Sequence, residues 1–286
     1  MSLTAAILTK NEEKNIERCL KSVDFCDEVI VVDDFSSDRT LETILKAFNP
    51  EGSQNPQGLK KIQIFKRKLD NDFAEQRNFA MQKAKYDWIL FVDADEEVTR
   101  ELRNDISRVI LNPFVRAQDY SLIQDLNQIP KQVRNDNVAY RIKRRDFWWG
   151  RELIYGETSK IRQVGLIRLI RKNSGKWEGK VHEEFRIKNS ELKIKLLNNF
   201  INHYPHQNVK EFLEEINFYS TLRAREMRGQ GKNSNIFEII FYPLLKFLLT
   251  YIVKLGFLDG SAGFAYAFFM SFHSFLVRAK LYRHKT

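Results

Sequence analysis

The sequence predicts an α/β protein, a mostly parallel sheet flanked by helices, followed by an apolar helical region at the C-terminal end. Three observations carry this. Short apolar runs alternate with stretches of helical periodicity from the first residues onward. The runs are continuous, as strands buried on both faces require. Polar clusters, two of them acidic, follow directly on the runs, and in open α/β sheets ligands bind at the carboxyl ends of the strands.

Leu3-Thr4-Ala5-Ala6-Ile7-Leu8 reads as the first strand, ending at Thr9-Lys10-Asn11-Glu12. Ile16, Cys19, Leu20 and Val23 then fall at helical spacing. Val29-Ile30-Val31-Val32 is a second strand and runs into Asp33-Asp34-Phe35-Ser36-Ser37-Asp38. Leu41, Ile44, Leu45 and Phe48 mark a second helix, and residues 49 to 58 are a loop rich in Pro and Gly. Ile62 to Phe65 is a third strand, Ala74 to Ala84 a helix, and Trp88 to Val92 a fourth strand. Residues 112 to 137 are polar, with Pro113 and Pro130, and read as a long loop or insertion. Leu166 to Arg171 alternates loosely, as a strand does, and Val209 to Arg228 is helical.

The fourth strand leads into Asp93-Ala94-Asp95-Glu96-Glu97. Two carboxylates one residue apart repel each other unless a positive group lies between them. A divalent cation, Mg²⁺ or Mn²⁺, that also binds phosphate oxygens suits such a pair. Later, His182 stands beside Glu183 and Glu184, a combination suited to metal binding or proton transfer. Phe147-Trp148-Trp149-Gly150-Arg151 mixes aromatic rings with charge. Such rings serve either for stacking on sugars or for core packing.

The net charge is +10, and residues 131 to 186 hold 15 Lys/Arg against 7 Asp/Glu, which points to an anionic partner. Nucleic acid is excluded as that partner, because acidic strand ends repel a phosphate backbone. Neither G-x-G-x-x-G nor a P-loop follows the first strand, so dinucleotide dehydrogenases and P-loop ATPases are excluded as well. Cys19 and Cys26 form neither a disulfide framework nor a zinc pattern, consistent with a reducing cytosol. No signal peptide is read at the N-terminus. Ile236 to Phe257 and Phe264 to Val277 are apolar, broken in the first by Glu238, Pro243, Lys246 and Lys254, and the second runs into Arg278, Lys280, Arg283 and Lys285. The interruptions suit an interface-lying segment on an anionic leaflet better than a membrane-crossing one.

Taken in order, these stretches resemble family 2 glycosyltransferases of the GT-A fold, most closely the subgroup that elongates the lipopolysaccharide inner core, including the heptose glucosyltransferases. The resemblance rests on Leu8 to Glu12, Val31 to Thr40, Glu75-Gln76-Arg77-Asn78, Asp93 to Glu96, Val181-His182-Glu183 and Gly256-Phe257-Leu258-Asp259-Gly260. It implies a nucleotide-sugar-binding half at 1–111, an acceptor-binding and catalytic half at 112–208, and a membrane-associating helical region at 209–286. It implies a UDP-sugar donor held by Thr9, Asn11, Glu12, Asp33, Asp34, Arg77, Asp93 and Ala94. A divalent metal would sit on Asp95 with help from Asp93 and His182. Inversion by direct displacement needs one general base, here Glu183 with Glu184 behind it. Trp148, Trp149 and Arg168 are the candidates for holding the acceptor. That acceptor would be a lipid-linked oligosaccharide reached from the inner face of the cytoplasmic membrane. The stretches 49 to 58 and 112 to 137 are longer than the resemblance implies, and the second leaves the acceptor open. Another cell-envelope or protein acceptor, or a sugar-phosphate nucleotidyltransferase, is the alternative.

Overall fold

The computed structural model describes residues 2–48, 62–111, 138–180, 183–188, 193–205 and 208–282. The sequence-predicted loop at 49 to 58, the insertion at 112 to 137 and His182 lie outside the described residues. In chain order the elements are β1 (Leu3–Thr9), α1 (Ile16–Ser22), β2 (Glu28–Asp33), α2 (Thr40–Phe48), β3 (Ile62–Lys66), α3 (Phe73–Lys83), β4 (Trp88–Asp93), β5 (Glu96–Val98) and α4 (Arg100–Leu111). They continue with β6 (Val138–Trp148), β7 (Arg151–Leu153), α5 (Ser159–Val164), β8 (Leu166–Arg171), β9 (Gly175–Glu178), β10 (Glu184–Ile187) and β11 (Lys193–His203). Three helices end the described chain: α6 (Val209–Gly229), α7 (Ile236–Leu248) and α8 (Gly260–Tyr282).

These elements form two compact units, residues 1–143 with 165–201 and residues 144–164 with 202–286. The boundaries differ from the three-part division read from the sequence. The reason is that the strand ends and loop at 144–164 pack with the C-terminal helices.

In the first unit the sheet runs β3-β2-β1-β4-β8-β6-β11-β5. β3, β2, β1 and β4 are mutually parallel. Alternate residues of these strands feed two separate cores. Leu3, Ala5, Ile7, Val29, Val31, Leu90 and Val92 meet α1 and α4 through Ile16, Leu20, Leu102 and Ile106. Ala6, Ile30, Val32, Ile89 and Phe91 meet α3 through Ala74, Ala80 and Met81. Both faces are covered, which is why the strand sequences are continuously apolar. Past β4 the direction changes: β8 is antiparallel to β4 and β6 is antiparallel to β8. The pairing Trp88↔Arg171, Ile89↔Ile170 and Leu90↔Leu169, continued, brings Arg168 alongside the carboxyl half of β4.

In the second unit β6 and β7 form a hairpin whose turn, Trp149-Gly150, has both residues at positive φ (49° and 69°), the twist that two-residue hairpins favour. Trp148 is 1% exposed and packs edge-on against Phe212, Tyr266 and Phe269 at 5.4, 5.6 and 5.9 Å between ring centroids. Beneath it Asp146, fully buried, accepts from Arg144 at 2.9 Å and lies 2.6 Å from His203 Nδ1. Burial opposes the charge of Asp146, but Arg144 and then His203 outweigh it and hold the carboxyl below its ordinary range. A depressed folded pKa adds stability above the unfolded value of about 3.9, and that stability is lost as pH falls through the folded value. The expected outcome for Asp146→Asn is a loss on the order of 3 kcal/mol at neutral pH, with a shallower loss of stability on acidification than in the wild type. Urea unfolding at pH 7 and pH 3 measures both. Equal stability of the two proteins at pH 7 would remove the argument.

Candidate active site

The ends of β1 and β2 are cross-braced. Asp34 N–H donates to the Thr9 carbonyl (2.9 Å), Asn11 N–H to Ser36 Oγ (2.9 Å), and Ser37 N–H to Asn11 Oδ1 (2.8 Å). Glu12 N–H donates to Thr40 Oγ1 at 2.7 Å, and the Glu12 carboxylate accepts from Asn15 Nδ2 at 2.9 Å. Asn11 and Phe35 both have positive φ, 56° and 52°. Asn tolerates that region, whereas in a bulky residue it marks stored strain. The Phe35 ring is 59% exposed. Asp33 is fully buried and closes its own turn by accepting from Ser36 N–H and Oγ. Asp34 accepts from Lys10 Nζ at 2.6 Å and from Leu69 N–H at 2.9 Å.

The end of β4 holds a denser network. Asp93 Oδ1 accepts from Arg77 Nη2 at 3.0 Å, and Asp93 Oδ2 accepts from Arg168 Nη2 at 2.5 Å. Arg168 also donates to Glu96 Oε1 at 2.7 Å, and Glu96 Oε2 accepts the Asp93 backbone N–H at 2.9 Å. Arg77 Nε donates to Glu183 Oε1 at 2.9 Å. The Arg77 guanidinium also faces the rings of Phe91 and Trp177, with its Cζ 5.6 and 5.1 Å from their centroids, contacts that favour a desolvated cation. Both arginines are buried, at 5% and 3% exposure. Burial works against the charge of Arg168, but Asp93 and Glu96 outweigh it and hold its pKa above the ordinary value. Three carboxylates thus surround two guanidiniums, and Asp95 lies half-buried beside them. Asp95 is also among the carboxylates that, after burial and Glu96, raise the pKa of the Cys19 thiol. Among the described residues no three His, Cys, Asp or Glu side chains come together as a metal-binding group.

The structure therefore brings Arg77, Asp93, Arg168 and Glu183 into one bonded unit, with Ala94 buried at the turn. Glu184 begins β10 and is exposed. Two of the three acceptor candidates are placed otherwise than the sequence suggests. Arg168 is spent on Asp93 and Glu96, because only paired carboxylates let a buried guanidinium keep its charge. Trp148 is enclosed by aromatic rings, so its edges and faces are in core packing. Trp149, 51% exposed and stacked on Trp148 at 4.3 Å, keeps an open ring. Sequence reasoning passed over Glu96 and Lys10, which bond candidate residues Asp93 and Asp34, although both lie inside motifs it singled out.

The sequence profile described as "Glycosyl transferase family 2" matches residues 4–149. The chain belongs to glycosyl transferase family 2. It is 26% identical over 286 residues to "Lipopolysaccharide core biosynthesis glycosyltransferase LpsC" of Rhizobium meliloti, covering 99% of this chain and 93% of that relative. It is 27% identical over 289 residues to an uncharacterized glycosyltransferase of Rickettsia typhi, covering 98% and 86%. Among solved structures, S. aureus TarS 1-349 in complex with UDP-GlcNAc aligns at 17% identity with a TM-score of 0.45, covering 96% of this chain and 81% of that one. As a family 2 glycosyltransferase the chain draws Asp93 and Arg77 from the profile-matched span, and Arg168 and Glu183 from beyond it.

That division makes Arg168 informative. It is expected to act as a positioning residue that fixes the Asp93 carboxylate. For Arg168→Gln, activity is expected to fall about 10–100-fold, with more added divalent metal needed for half-maximal activity, as for other groups that orient a metal site. Thermal unfolding of the same variant separates this from simple loss of folded protein. Unchanged turnover and metal dependence in a folded Arg168→Gln would end the positioning role.

Proposed function

We propose that this family 2 enzyme transfers a hexose, glucose from UDP-glucose, with inversion, to a lipid-linked oligosaccharide of the lipopolysaccharide inner-core kind. The observation that carries the reading is the Arg77–Asp93–Arg168–Glu96–Glu183 network. It ties Asp93, one carboxylate of the pair at the end of β4, to the candidate base Glu183 through the Arg77 guanidinium. The name of the Rhizobium meliloti relative supports the acceptor class.

The base and ribose of the donor are assigned to the braced ends of β1 and β2, at Thr9, Asn11, Glu12, Asp33 and Asp34. Asp34 is offered as the acceptor of a uracil N–H, since its partner Lys10 is an exposed side chain that can give way, whereas Asp33 is fully buried and holds its own turn through Ser36. Mg²⁺ or Mn²⁺ fits the end of β4 through its surplus of negative charge. Asp95 would be the first protein ligand, the donor phosphates would supply others, and Asp93 would act through its hold on the arginines. Bound there, the cation would neutralise the departing diphosphate. The acceptor hydroxyl oxygen attacks the anomeric carbon, its proton passes to Glu183, and the bond from that carbon to the diphosphate oxygen breaks to release UDP. Arg77 holds the Glu183 carboxylate in place. Trp149 is the exposed candidate for stacking on an acceptor sugar, and the basic stretch 131 to 186 is suited to acceptor phosphates or carboxylates. Residues 236 to 282 are assigned to attachment at the inner face of the cytoplasmic membrane. Their two helices are long and apolar enough, by length and composition, to interact with a bilayer.

Three outcomes are expected. Asp95→Ala abolishes transfer while far-ultraviolet circular dichroism is unchanged, and EDTA does the same to the wild type. Wild-type rates in either case would remove the metal. Glu183→Gln lowers turnover about 10²–10⁴-fold while UDP affinity, measured by calorimetry, is retained. If Glu184→Gln is the crippled variant instead, the base is Glu184. A panel of nucleotide sugars assayed with an inner-core acceptor is expected to select UDP-glucose.

A further inference from the structure

The membrane reading leaves open whether the C-terminal helices cross the bilayer. Both Ile236–Val253 and Gly256–Tyr282 are long and apolar enough to do so. Contacts within the second unit argue against it at both ends of α8.

The first contact set is at the turn between α7 and α8. Asp259 is buried, and its carboxylate accepts the backbone N–H groups of Ile154 (3.1 Å) and Tyr155 (2.9 Å). Gly156 N–H donates to the Lys254 carbonyl at 2.9 Å. The backbones approach closely: a Cβ at Gly256 would lie 2.7 Å from the Thr250 carbonyl oxygen, and one at Gly263 would strike the Gly256 carbonyl. This explains the Gly256-to-Gly260 motif as a clamp. Residues 154–156 follow directly on β7, which pairs with β6. The turn is thereby fastened to β structure and is not free to emerge on the far side of a membrane.

The second contact set runs along α6. Phe212 near its start meets Tyr266 and Phe269 of α8, and Ala224 and Met227 near its end meet Val277 and Leu281. Lys280 Nζ donates to the Asn217 carbonyl and Ser220 Oγ, both at 2.7 Å, and Arg228 donates to the Lys280 carbonyl at 3.2 Å. Yet α6 carries exposed charge along its length, at Lys210, Glu214, Glu215 and Arg225. If α8 crossed a bilayer, α6 would be drawn in with it, and charged side chains are strongly disfavoured in hydrocarbon.

The helix α7 is different. Its only charged residues, Glu238 and Lys246, are paired within the unit, Glu238 with Arg278 at 3.2 Å and Lys246 with Glu157 at 2.6 Å. The opposite stripe, Phe237, Phe241, Leu244, Leu245, Leu248 and Ile252, is exposed and uniformly apolar through the π-helical turn Leu249–Val253. Near the start of α7 stand the cations Arg228 and Lys232, whereas the charge of Arg278 is matched by Glu238 and Lys280 donates into α6. A charge-free stripe with cations at one end matches an anionic lipid surface and offers no polar group for recognising a protein.

We propose that the second unit docks on a single anionic leaflet through α7, which lies in the plane of the interface, with α8 behind it and no part of 236–282 crossing the bilayer. The proposal rests on the membrane attachment assigned above and adds its geometry. In flotation with phosphatidylcholine vesicles containing phosphatidylglycerol, the full chain is expected to float. Phe241→Glu combined with Leu245→Glu is expected to weaken partitioning on the order of tenfold or more, with metal-dependent hydrolysis of the nucleotide sugar retained. Cys19 and Cys26 are buried, so single cysteines at Ser261 and at Asn233, exposed before α7 at the other end of the helices, report orientation. With a membrane-impermeant maleimide on right-side-out and inverted membrane vesicles, both are expected to label from the same side. Labelling of Ser261→Cys only from the side opposite Asn233→Cys overturns the in-plane geometry while leaving attachment standing. A full chain that does not float removes attachment itself. A double variant that floats normally but changes its size in gel filtration assigns the α7 stripe to a second copy of the chain, and the proposal fails.

Discussion

Asp93 lies between two buried guanidiniums, and the functional end of the sheet depends on that contact. An arginine out of water is tolerated only when its charge is matched at close range. Arg77 and Arg168 are matched by the same aspartate, one on each oxygen. Glu96 and Glu183 complete the set, and Phe91 and Trp177 cover the Arg77 guanidinium. A helix, a parallel strand and an antiparallel strand therefore meet through one carboxylate, and the segment leading into β10 joins them through Arg77. Geometry at one member is transmitted to the others through bonds of 2.5 to 3.0 Å, not through flexible packing.

A second buried carboxylate plays a comparable part in the C-terminal unit. Asp259 gathers two backbone N–H groups of the loop after β7, while Asp146 is held by Arg144 and His203. Trp148 fills the space among α6, α8 and the hairpin. The apolar helices are thus attached to a polar, well-bonded frame. Their length and composition alone therefore do not describe how they are held.

The parallel strands were legible because burial on both faces leaves a continuous apolar run, and β1, β2 and β4 each show one. The acidic strand end was legible because carboxylates directly after such a run need a partner. The role of Arg168 was not legible. The reading favoured a parallel sheet, and only an antiparallel β8 carries Arg168 to the carboxyl end of β4. The tryptophans were ambiguous for a different reason: core packing and sugar stacking call for the same residue type, and only the turn at Trp149-Gly150 decides which ring faces out. On α7 the sequence showed interruptions at Glu238 and Lys246. The fold pairs both away from the apolar stripe, so the surface is more continuous than the sequence.

The cross-braced ends of β1 and β2 have a thermodynamic consequence. Asn11, Glu12, Asp33, Ser36, Ser37 and Thr40 satisfy one another's backbone and side-chain groups, so the rim proposed above to receive the nucleotide is ordered by folding. A ligand entering it need not freeze loops, and its binding entropy carries little of the ordering penalty that mobile sites impose. The backbone strain at Phe35 is likewise settled in advance, at folding.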